Sequence, residues 1–136
     1  MQSRTEVTVF RSIVAVLALI PISAGAAGVF YGLSFPGFDV VSQNANASSH
    51  FRFLSGIFLA IGVAYWTVAL AMGDWLRRFQ LLAVLTVVGG LARGLSIFAD
   101  GTPSTGHQMG LFMELGVAPL LLFRSTRLHF QQIKNL

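Results

Sequence analysis

No charged residue lies between Arg11 and Asp39 or between Arg52 and Asp74, and only Arg93 interrupts the run between Arg78 and Asp100. Beyond Asp100, Glu114 stands alone until Arg124. Gaps of this length leave little choice of fold. In hydrocarbon every backbone N–H and C=O must be satisfied within the chain, so an apolar run of roughly 20 residues crosses a bilayer as a helix. Charged residues make up 10% of the 136, and apolar residues 54%. A soluble domain carries roughly 25% charged residues, so this chain cannot coat a globule with polar surface. Lipid must solvate it.

The expected fold is all-α, a four-transmembrane-helix antiparallel bundle that forms a single integral membrane domain over residues 1–136. The spans read as about 9–33, 51–72, 75–99 and 103–123, followed by an amphipathic C-terminal tail, 124–136. The fourth reaches spanning length only if Pro103 is its first helical residue, a position that favours proline. Ser48 or Ser49 is expected to cap the second helix and Asp74 the third. Trp75 reads as an interface anchor, and Pro119 as a bend in the fourth helix. The first run has a competing reading, because Arg4, Arg11, an apolar stretch, Pro21 and SAGAA also suit a cleavable signal peptide. Apolar character continuing through GVFYGL favours a retained helix.

Seven of the nine basic residues, Arg4, Arg11, Arg77, Arg78, Arg124, Arg127 and Lys134, fall in the tails or the second loop. The loops 34–49 and 100–108 have none. The positive-inside rule then places both N and C termini in the cytoplasm. The net charge of +4 is thereby explained as orientation, and no nucleic-acid partner is expected. The basic tail is expected to favour anionic membrane lipids. With no cysteine, disulfides, thiolate metal sites and cysteine catalysis are excluded.

Small residues mark the packing faces. Ala24, Gly28 and Gly32 recur at intervals of four, as do Gly56 and Ala60, and Gly90 and Gly94. Lipid supplies little hydrophobic drive between helices, so close backbone approach provides much of the association. The same faces suit bundle packing or a homo-oligomer.

The two basic residues left over, Arg52 and Arg93, carry the functional question. Arg93 lies six residues inside the outer end of helix three, about 9 Å at a rise of 1.5 Å. Glu114 lies at similar depth in helix four. A charge facing hydrocarbon costs ~2.5 to 3.5 kcal/mol, so these two are expected to pair. Thr86, Arg93 and Asp100 are seven apart, and so are His107 and Glu114. Two turns return a residue almost to the same side. Gly90 and Gly110 leave room beside the charges, and Ser96 shares the stripe. Tyr31 and Ser34 are expected to close a ring with His50 and Arg52. The ligand-binding residues are therefore read as Arg52, Arg93, Glu114, Ser96, Asp100, His107, His50 and Tyr31, around a polar cavity open to the outside. An Arg93–Glu114 pair also serves as a lock between two helices, and both readings stand at this point. The acids and histidines lack HxxxH or ExxH metal spacing. The outer histidines sit at helix ends, which does not suit haem. No nucleophile elbow accompanies His107 and Asp100. No metal, no cofactor and no catalytic residue is expected.

At SHFRFLSGIFLAIG (49–62), GLARGLS (90–96), DGTPS (100–104) and MEL (113–115), the chain resembles a family of small bacterial membrane proteins with four predicted helices. That family is known only as a domain of unknown function. The resemblance covers nearly the whole chain, and the arginine–glutamate placement is its most specific part. It implies a multi-pass protein of the bacterial inner membrane and implies no activity. The general build is also similar to DoxX-like proteins and to the four-helix scaffold of ergosterol synthesis.

Three functions follow as expectations. The first is a non-catalytic binding or accessory protein, holding a lipid-like or small amphipathic ligand or a partner membrane protein. The second is a small proton- or ion-coupled transporter acting as a homo-oligomer, although an ion-paired glutamate is a poor proton carrier. The third is a membrane enzyme acting on a lipid or quinone, which rests only on Asp100, His107 and Glu114 being near one another.

Overall fold

A computed structural model describes residues 4–35, 44–70 and 75–134, with backbone alone at residue 4 and at 128–134. Every regular element among the described residues is helical. They are α1 (Arg4–Tyr31), a 3-10 turn (Gly32–Ser34), α2 (Ala45–Leu70), α3 (Trp75–Asp100), α4 (Thr105–Phe112), a π-turn (Met113–Val117) and α5 (Ala118–Lys134). Four helices are long and apolar enough to cross a membrane: Thr5–Ser34, Ala45–Leu70, Trp75–Asp100 and Thr105–Arg127. The protein is a multi-pass membrane protein by this measure. Its chain divides into two compact units, one within Thr5–Ala71 and one within Met72–Leu136.

The boundaries correct several expectations. The second span begins six residues before Phe51, because Asn44 caps it: the N–H groups of Asn46 and Ala47 donate to Asn44 Oδ1 at 2.9 and 3.3 Å. Asparagine at that position satisfies N–H groups that have no partner in the first turn. Ser48 and Ser49 lie within the helix instead. Asp74 lies outside the described residues. Trp75, expected at the membrane interface, opens α3 and is buried against protein, 7% exposed. Pro103 precedes the fourth span, which starts after Ser104. That span gains its length at the other end, where α5 continues without a break to Lys134. Residues 124–134 therefore extend the helix.

In the first unit, α1 and α2 run antiparallel and almost touch. A Cβ added at Gly25 would lie 2.5 Å from Leu59 N, and one at Gly62 would lie 2.8 Å from Ile22 N. A Cβ at Gly28 would strike Ser55. Each step forward along α1 thus matches a step backward along α2. The packing face uses Gly28, as expected, together with Gly25, Ser55 and Gly62, where Ala24, Gly56 and Ala60 had been expected. Ala60 is exposed, and a Cβ at Gly56 meets only Val29 at an ordinary 3.9 Å.

Arginine closes both ends of this hairpin. Arg11 Nε donates to Ala69 O at 2.6 Å, in the last turn of α2. Arg52 NH1 donates to Val29 O and Phe30 O, in the last turns of α1. The final carbonyls of a helix have no intrahelical partner and carry the negative end of its dipole. Each arginine sits seven residues into its own helix and satisfies the end of the other. Between them, Trp66 Nε1 donates to Ala15 O at 3.0 Å.

In the second unit, α3 packs on α4, the π-turn and α5. Its buried residues Leu76, Phe79, Ala83 and Gly90 recur at helical spacing along one stripe. Gly101, at φ +97°, ends α3 by donating its N–H to Ile97 O, a backbone conformation that favours glycine. Hydroxyls inside the spans turn back on their own helices. Thr86 Oγ1 donates to Leu82 O, and Ser125 Oγ to Leu122 O. Such bonds satisfy a polar group where no water is present.

Candidate functional site

The second unit holds the intramembrane charges. Arg93 Nε donates to Glu114 Oε2 at 2.8 Å, and Arg93 NH2 donates to Glu114 Oε1 at 3.0 Å. This two-pronged arrangement fits the planar guanidinium to the carboxylate and is the strongest form of the pair. Arg93 NH1 reaches His107 Nδ1 at 2.9 Å. The Glu114 side chain is 10% exposed and that of Arg93 29%. The expected Arg93–Glu114 pair is present, and the seven-residue spacing of His107 and Glu114 presents both to one arginine.

Backbone features make room for the cluster. A Cβ at Gly90 would lie 2.7 Å from Glu114 Cβ and 2.8 Å from Leu115 Cδ2, so only glycine lets the helices approach this closely. The guanidinium lies over Gly110, where a Cβ would be an ordinary 3.6 Å from Arg93 Cζ. Glu114 itself stands in the π-turn, in which Ala118 N–H donates to Met113 O, five residues back. The next residue, Pro119, has no N–H, and its ring crowds the carbonyl four back, that of Leu115. A widened turn relieves that conflict, and such turns occur often at functional sites. Pro119 was expected to bend the helix; it follows a π-turn that holds the acid.

Ser96 and Asp100 contribute less than their spacing suggested. Ser96 Oγ donates to Arg93 O at 2.8 Å, back along its own helix. Asp100 is exposed at the end of α3 and is not among the side-chain partners of Arg93.

The first unit has a polar grouping of its own. Tyr31, Leu33, Ser34, Asn44, Ala45, Ser48 and Arg52 line a hollow of about 270 Å³. Three expected ring members, Tyr31, Ser34 and Arg52, are thus together, while His50 is exposed and does not line the hollow. Arg52 had been read as a ligand arm, but its NH1 is occupied with the carbonyls of α1. Gly32, at φ +58°, lets the guanidinium approach, since a Cβ there would lie 2.8 Å from Arg52 NH2. Asn44 and Trp66 had escaped notice. Asparagine before an alanine-serine run was the available signal for the first, and an indole amid a span, needing an acceptor, for the second.

Among the described residues, no group of three or more His, Asp or Glu side chains is placed to hold a metal ion. A family model described as a domain of unknown function, DUF4345, matches residues 9–124. The chain belongs to that family. All three residues of the Arg93 cluster lie inside the DUF4345 match, as does Arg52, while Arg127 and Lys134 lie beyond it. No curated protein and no solved structure matches this DUF4345 chain.

Proposed function

We propose that this DUF4345 protein is a non-catalytic binding or accessory protein of the bacterial inner membrane, with both termini in the cytoplasm. Its site is a polar cavity around the Arg93–Glu114 pair, open to the outer face, which receives a lipid-like or small amphipathic ligand or the helix of a partner protein. One observation carries the reading. Arg93 is locked by Glu114 and His107 yet keeps 29% of its side chain exposed, although a lock alone would be better buried. The placement of seven of the nine basic residues supports the orientation.

The transport reading is the weaker one. Both oxygens of Glu114 already accept from Arg93, so proton exchange there would first have to break the pair. Catalysis has less support: Asp100 is not among the partners of Arg93, and the acid that is, Glu114, is held in its pair by both oxygens.

Native mass spectra of protein extracted with its own lipids test the proposal. A bound species present on the wild type and lost from folded Glu114→Gln supports it. A bare wild type with no partner, beside a Glu114→Gln protein that only unfolds, would leave the pair as architecture and end the binding reading.

A further inference from the structure

Charge and donor count restrict what the Arg93 cluster can receive. A guanidinium has five N–H donors and no acceptor. Three are committed, two to Glu114 and one to His107. The Nε hydrogen is among those used, so the two left over sit on the terminal nitrogens, one each. Because arginine only donates, His107 Nδ1 must accept, which places the proton of the neutral ring on Nε2. The cluster is therefore one cation, one anion and one neutral ring. Its formal charge is zero, and it still offers donors at the exposed edge of Arg93.

Depth adds a second restriction. Arg93 lies seven residues before the end of α3 at Asp100, about 10 Å at a rise of 1.5 Å. The 26 residues of α3 make it about 39 Å long, close to the 40 to 45 Å of a whole bilayer. A point about 10 Å from its end falls just inside the hydrocarbon boundary. An anion brought there would lose its hydration and meet the carboxylate of Glu114, while the attraction of Arg93 is already matched. An uncharged acceptor meets neither obstacle.

We infer that the site takes an uncharged amphiphile by its carbonyl oxygen, which accepts from the terminal N–H groups of Arg93. Glu114 then acts twice: it aims the guanidinium, and it cancels the charge that would otherwise recruit anionic lipid. The inference rests on the binding reading above and narrows it to a ligand class.

Two probes with the same chain length separate the possibilities: methyl palmitate labelled with carbon-13 at its carbonyl, and hexadecanesulfonate, which is charged at every working pH. Binding of each to wild type and to Glu114→Gln is measured in nonionic detergent by native mass spectrometry, with the labelled C=O band followed by infrared. The wild type should hold the ester at least about tenfold more tightly than the sulfonate, a difference of one pairwise charge repulsion. Its C=O band should move to lower frequency on binding. Glu114→Gln, with the guanidinium no longer neutralised, should reverse the order. Preference of the wild type for the sulfonate, or an unchanged order in Glu114→Gln, overturns the inference while leaving the binding reading in place. Should Glu114→Gln fail to fold, the order of the two probes on the wild type decides alone. If neither probe nor any native lipid occupies the wild type, it is the binding reading that has failed.

Discussion

Both units contain a pair of apolar helices, yet they are held in different ways. In α1–α2, glycines bring the backbones together at Gly25, Gly28 and Gly62, and the arginines reach carbonyls at the ends. In α3 and its partner helix, one glycine, Gly90, makes comparable room, and the arginine works on a carboxylate. The contrast teaches what an arginine is for beside different helix ends. Arg11 and Arg52 lie beside the C-terminal turns of the facing helix, where unpaired carbonyls are present in any sequence. Arg93, seven residues before the end of its own helix, lies beside the first turns of α4. There the unpaired groups are N–H donors, so a counter-ion must come from a side chain.

That difference has measurable consequences. The largest effect is expected from Glu114→Ala, which strands Arg93 in the span. Unfolding in detergent should lose about 3 to 5 kcal/mol, as for other broken buried pairs. The double change Arg93→Met with Glu114→Leu should recover most of that loss, since two apolar groups replace two charges. Stability kept but ligand lost in that double variant would separate site from lock. Next comes Gly28→Leu, whose side chain would collide with Ser55; overpacking of this kind costs about 1 to 3 kcal/mol. Gly89→Leu is its control, because a Cβ there meets nothing within 4 Å, and its unfolding should scarcely change. Asn44→Ala should cost about 1 kcal/mol as a lost cap, with faster amide exchange at Asn46 and Ala47. Smallest should be Arg52→Gln, about 0.3 to 1 kcal/mol for an exposed charge at a helix end. A loss from Arg52→Gln as large as that from Glu114→Ala would erase the distinction between the two units.

Spans and the Arg93–Glu114–His107 cluster were legible because they depend on length, charge and the seven-residue return of a helix face. The packing face of α1 was not. Ala24, Gly25, Gly28 and Gly32 offer more than one small-residue ladder, and the choice among them is made by Leu59, Ser55 and Ile22 of the facing pair. Arg52 was legible as an oddity and not as a cap, since nothing in sequence tells which carbonyls a long side chain will reach. The start of α2 was missed for a local reason: Ser48 and Ser49 are good caps, but Asn44 comes first and is as good.

The π-turn carries one more consequence. Along a regular helix, direction is set by counting, about 100° for each residue. A turn holding one residue more restarts that count, so α4 and α5 need not share a rotational origin. The side that presents His107 and Glu114 can be aimed separately from the side that buries Ser125. Deleting a single residue from Met113–Val117 would remove the residue that the wide turn holds in excess, whereas a deletion elsewhere in the span would swing everything after it by about 100°. For this span, a one-residue deletion outside the π-turn should be far less tolerated than one within it. The segment behaves as two keys cut on one blade.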